Sequence, residues 1–141
     1  MSKTNTSSAG IFKTIHIELY SVRIYVSIAQ THEDAKKCAK KYAKMPNAQF
    51  EESFGHWKDN PGVLATVAHS QNGSSLTRFK DPVIDHNTIA HECFHIAVAI
   101  MEAKNIPMSD SSEEAWAYLI GFLVGKVTEV FKELEKKQNS I

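Results

Sequence analysis

Cysteine is nearly absent: the chain holds only Cys38 and Cys93, with no C-x-x-C pair. Two thiols cannot build a disulfide framework, so the fold must rest on an apolar core, and the plain reading is a pair of reduced thiols in a cytosolic protein. Net charge is absent too. Sixteen basic and sixteen acidic residues cancel, and no long run of one sign occurs, which removes the electrostatic argument for nucleic acid or an anionic membrane as partner. Long hydrophobic runs are also lacking. The most apolar stretch, 115–124, is interrupted by Gly121, with Gly125 just beyond, and falls well short of the roughly 20 residues of a membrane span. The opening MSKTNTSSAG has no apolar segment of the secretory kind. These absences predict a cytoplasmic protein with no membrane and no nucleic-acid partner. Its oligomeric state cannot be read from composition.

What is present fits one domain in 141 residues. Residues 1–10 are rich in Ser, Thr and Asn and read as a disordered tail; 11–141 form the domain. Ile15, Ile17 and Leu19 alternate with polar neighbours, and so do Val22, Ile24, Val26 and Ile28. The parity shifts near Tyr20 and Ser21, which predicts two strands in a tight hairpin. Thr31 and Asp34 mark the start of a surface helix to Lys44, with Ala35, Cys38, Ala39 and Tyr42 inward and Pro46 ending it. A loop holding a helical turn near Phe50–Phe54 follows. Residues 63–70 and 76–80 are strand candidates about an Asn72-Gly73 turn. A strongly apolar helix spans about 86–104, capped by Asp85 or Asn87, with Asn105 as its left-handed terminator. A last helix runs from after Ser111 to about Lys137. The order predicts an α+β domain: a small, mostly antiparallel sheet with a surface helix, then two packed C-terminal helices.

The first of those helices carries His91-Glu92-Cys93-Phe94-His95, an H-E-x-x-H motif. Histidines four apart lie one above the other on a helix, so two imidazole nitrogens can converge on one Zn²⁺. Glu92, about 100° around the helix from His91, lies near such a metal without ligating it and can take a proton from a water there. The helix is apolar nearly all round, which predicts that it is buried. Buried imidazole and carboxylate groups without partners are costly, and a metal is the economical partner. Cys93 points away and reads as a core thiol.

A catalytic zinc takes three protein ligands and leaves one position open. Glu113 and Glu114 start the next helix. Glu114, Ala117, Gly121 and Gly125 share one helix face almost without bulk, suited to close approach of two helices, so Glu114 is the preferred third ligand, with Glu113 the alternative. Both fit capping spacings as well, from Ser111 and Asp110.

The pairing of this motif with a glutamate on the following helix resembles the gluzincin group of zinc metallopeptidases. More closely, "TIAHECFHIAVAIMEAKNIPMSDSSEEAWAYLIGFLV", residues 88–124, is similar to short phage and prophage proteins described as metallopeptidases. The resemblance covers about a quarter of the chain. It implies a minimal zincin-like α+β fold, a peptide or protein substrate, His91, His95 and Glu114 as zinc ligands, and Glu92 as general base. Where larger gluzincins carry an acidic residue four positions after the ligand glutamate, this chain has Tyr118, so Asp81, Asp85 or a backbone carbonyl must orient the imidazoles.

The expectation is a zinc-dependent hydrolase, with a catalytically inactive, zinc-stabilised interaction protein as the alternative. His69 and Tyr118 are lesser candidates for steadying an oxyanion. The 63–70 strand is a possible edge for an extended peptide.

Overall fold

The computed structural model describes residues 10–140. The tail expected over 1–10 lies, apart from Gly10, outside them. Strands β1 (Ile11–Ile17) and β2 (Val22–Ile28) pair antiparallel from Ile11↔Ile28 to Ile17↔Val22. The parity shift falls where expected, in a one-turn 3₁₀ segment over Glu18–Tyr20, closed by Ser21 in the left-handed region. Leu19 belongs to this turn rather than to the alternation and is 84% exposed.

Helices α1 (His32–Ala43) and α2 (Asn47–Phe54) follow. The Thr31 hydroxyl accepts from the Asp34 N–H at 3.1 Å, the cap its position predicts. Ala35 and Ala39 are buried, but Tyr42 is half exposed and stacks on Phe12 instead of entering the core. The segment read as a loop with one helical turn is mostly helical: α2 continues into a 3₁₀ segment to Asp59. Strands β3 (Ala65–His69) and β4 (Ser75–Phe79) are joined through Gly73 at φ +93°. A Cβ at this position would stand only 3.1 Å from the Ala103 Cβ, so the absence of a side chain lets the turn lie close there.

The sheet order is β1-β2-β4-β3. The outer pairs are antiparallel, but the central pair β2–β4 is parallel, so the sheet is mixed. The reason is the crossover: α1 and α2 carry the chain over one face before β3 and β4 are laid down, and β4 returns in the direction of β2. Helices α3 (His86–Ala103) and α4 (Glu113–Asn139) cover the other face. The main core lies there, built from Ile15, Ile24, Val26 and Phe79 of the sheet against both helices. A smaller core of Tyr25, Phe50, Phe54 and Leu76 lies beneath α1 and α2. No helix among the described residues is long and apolar enough to cross a membrane.

One buried cation stands out. Arg78 of β4 lies in the smaller core with its guanidinium 4.3 Å from the Trp57 ring centre and Nη2 donating to the Gln30 carbonyl at 3.2 Å. Burial alone pushes its pKa down to about 10.

Leu123 is fully buried at the middle of α4. Leu123→Ala is expected to lower the unfolding free energy by about 3 kcal/mol, the sum of lost transfer energy and a residual cavity, read as a lower midpoint in urea unfolding. A loss well under 1 kcal/mol would mean that α4 does not seal the core.

Candidate metal centre

Helix α3 begins at Asp85, whose carboxylate accepts from the Asn87 and Thr88 N–H groups at 3.1 and 3.4 Å and from the Thr88 hydroxyl at 2.9 Å. The cap holds that carboxylate below its ordinary range, chiefly through the Thr88 hydroxyl. Asp85 is therefore engaged at the helix start, six residues before His91. The helix ends at Lys104, with Asn105 left-handed at φ +60° as its spacing predicts.

The H-E-x-x-H residues fall on two sides of this helix. His91, Phe94 and His95 form an exposed stripe, and Glu92 and Cys93 turn inward. This corrects the expectation of a helix buried all round. The imidazoles are open to solvent, so burial creates no need for a partner there. It does so only at Glu92, which is 7% exposed. Desolvation raises the Glu92 pKa above 4.5, opposed by the two histidines. The Cys93 thiol, fully buried, is pushed up to about 12 by the same desolvation, with the Glu92 charge adding to it. It is the inert core thiol expected.

The two imidazoles converge. His91 Nε2 and His95 Nε2 stand 3.3 Å apart, and the rings meet edge to face. Two nitrogens bound to one tetrahedral zinc at about 2.0–2.1 Å are separated by about 3.4 Å. A Glu92 carboxylate oxygen lies 3.9 Å from His91 Nε2, beside the pair rather than between its members. The donor set and its spacing fit two ligands of a zinc ion with a carboxylate poised next to it.

Strand β3 forms the opposite wall. Ala65, Val67 and His69 pair with Phe79, Thr77 and Ser75 and, by strand parity, face the α3 layer. They line a cavity of about 350 Å³ together with His91, Glu92, His95 and Val98. His69 stands at the end of this wall. Among the described residues β3 has a neighbouring strand on one side only, which leaves its other edge open beside the histidines. The strand expected over 63–70 is thus an edge strand at the site.

Glu114 does not line this cavity. Among the described residues no three His, Cys, Asp or Glu side chains are gathered as a metal site. The connector of 104–112 sets the first turn of α4 beside the last turn of α3, where the Trp116 indole N–H donates to the Ile106 carbonyl at 3.3 Å. His95 lies eight residues before Ala103, about 12 Å down the helix axis. The first turn of α4, which carries Glu114, therefore starts beside the end of α3. The bulkless face is also not the packed one: Ala117, Gly121 and Gly125 are exposed, and a Cβ on either glycine would meet nothing within 4 Å. The buried side of α4 carries Trp116, Leu119, Leu123 and Val127. Glu113 is exposed like Glu114, and Ser112, at the helix start, makes no side-chain cap. Tyr118 is 76% exposed and away from this cavity.

No protein-family model, curated protein or solved structure matches the chain. The inference about the site rests on its own residues.

Proposed function

We propose that the His91–His95 pair holds a Zn²⁺ ion and that the protein is a zinc-dependent hydrolase of peptide bonds. The observation that supports this most directly is the 3.3 Å separation of the two Nε2 atoms, the spacing of two ligands on one tetrahedral ion. A zinc held by His91 and His95 would supply Lewis acidity toward a water and a substrate carbonyl. Glu92 would act as general base, accepting a proton from the attacking water and giving it to the amine nitrogen as the peptide C–N bond breaks. Partial burial, which raises its pKa, suits it to both steps, since a base that must also act as an acid works best nearer to neutrality. The free edge of β3 can hold an extended peptide by strand addition, its backbone N–H and C=O groups pairing with those of the substrate. This would set a scissile carbonyl across the cavity from His91 and His95.

The third ligand has two candidates. Glu114 is the one that the resemblance implies. His69 is the other, because it lines the same cavity as the pair. Zinc analysis of His69→Ala and Glu114→Ala separates them: loss of zinc in the first and retention in the second assigns His69, and the reverse assigns Glu114. The function itself is tested by zinc analysis of the wild type together with cleavage of a mixed peptide library. Expected are about one equivalent of zinc and chelator-sensitive cleavage. Protein that takes up no zinc at saturation would overturn the proposal.

A further inference from the structure

The 11 residues from Ala115 to Gly125 contain no charged side chain, whereas the 14 that follow in the same helix contain seven. A helix uncharged all round is ordinarily enclosed. Here only one side is buried. The opposite side carries Tyr118 and Phe122 in solvent, next to Leu19 of the β1–β2 turn. Between that turn and α4 runs an apolar groove of about 630 Å³. Exposed aromatic groups gathered at a groove mark an interaction surface.

The arrangement along this face specifies the occupant. Glu114, Tyr118, Phe122 and Lys126 follow at intervals of four residues and form a single ridge of the helix. The ridge reads acid, aromatic, aromatic, base. Laid antiparallel on a copy of itself about a two-fold axis level with Ile120, it brings each Glu114 opposite a Lys126 and each Tyr118 opposite a Phe122. One axis satisfies both charge pairs and both aromatic pairs, the self-complementarity that an isologous interface requires. A parallel copy would instead oppose like charges. Lys126 already leans over the Phe122 ring at 5.6 Å and lies 3.8 Å from Glu129, so its ammonium is held at the surface where a second glutamate would arrive. Without side chains, Gly121 and Gly125 leave the approach open.

We propose that this face of α4 is the docking surface for a second copy of the chain, giving a two-fold dimer through antiparallel α4 helices. The ridge lies on a different helix from the His91–His95 stripe and shares with the third-ligand candidates only Glu114, so Tyr118→Asp and Lys126→Glu test the dimer without touching any proposed ligand.

Sedimentation equilibrium of the full chain over a range of concentrations tests this. The expected result is a species of twice the 15.8 kDa chain mass that dissociates on dilution. Tyr118→Asp puts a charge in the centre of the face at a position already in solvent, so folding is retained, and should weaken association at least about tenfold, one such factor corresponding to about 1.4 kcal/mol. Lys126→Glu should also weaken it, and Glu114→Lys added to Lys126→Glu in the same chain should restore it, with circular dichroism confirming a folded protein throughout. A wild type that remains monomeric at every concentration would overturn the proposal. So would a dimer indifferent to these changes, or a monomer that binds vesicles of mixed phosphatidylcholine and phosphatidylglycerol through this face.

Discussion

His91→Ala and His95→Ala are each expected to weaken zinc binding by about a hundredfold or more, since loss of a group that merely supports a ligand already costs 10–100-fold. Both side chains are exposed, and among the described residues their only close polar contacts are with each other and, for His91, with Glu92. Truncation therefore removes ligands without opening a cavity, and the thermal unfolding of the metal-free proteins should match that of the wild type. Competition with a chromophoric chelator measures the affinity. Cobalt substitution adds a second readout, because a tetrahedral site gives an intense visible absorption that a hydrated ion lacks. If either alanine variant keeps wild-type affinity, the two nitrogens do not share an ion and their 3.3 Å approach is only a hydrogen bond between imidazoles.

Glu92→Gln should leave zinc in place and reduce peptide hydrolysis by roughly 10²–10⁴-fold, the contribution of a positioned general base. A zinc that only ties a fold together has no use for this carboxylate, so unchanged function in a zinc-loaded Glu92→Gln protein would favour the interaction-protein alternative. The same variant carries a stability signature in the metal-free state. Burial raises the folded-state pKa of Glu92 above 4.5. A raised carboxyl contributes its stability in full below the unfolded-state value and loses it as pH rises through the folded-state value. Glutamine has no charge to desolvate. The stability of Glu92→Gln relative to wild type should therefore rise from acid toward neutral pH and then level off. Paired urea titrations across that range check it, and a flat difference would mean that the carboxylate reaches water freely.

Much of the local structure is legible in the chain. The hairpin follows from two alternating runs whose parity breaks at Ser21, and the structure puts the left-handed residue there. The helix starts at Thr31 and Asp85 and the stop at Asn105 follow from side chains and backbone preferences that act within four residues. The histidine pair is local in the same sense: a helix brings i and i+4 together whatever surrounds it. Expectations that needed a neighbour in space fared differently. The parallel pairing of β2 with β4 depends on which way the chain crosses the sheet, and strand composition is the same either way. The exposure of His91 and His95 depends on how many elements cover α3. Apolar residues all round suggest that every side is packed, but the sheet and α4 cover only part of it.

Glu114 shows the boundary most clearly. That Glu114 shares a face with Ala117, Gly121 and Gly125 follows from helical periodicity alone. Which way the face points depends on the rotation of α4 about its axis, set by the burial of Trp116, Leu119, Leu123 and Val127, and its height relative to the histidines depends on the length of the connector. The sequence by itself therefore determined the H-E-x-x-H pair, its poised carboxylate and the ends of the helices, all products of short-range geometry. Tertiary structure alone decided that β3, with His69, lines a cavity with that pair, because long-range placement follows from burying apolar area across the whole domain.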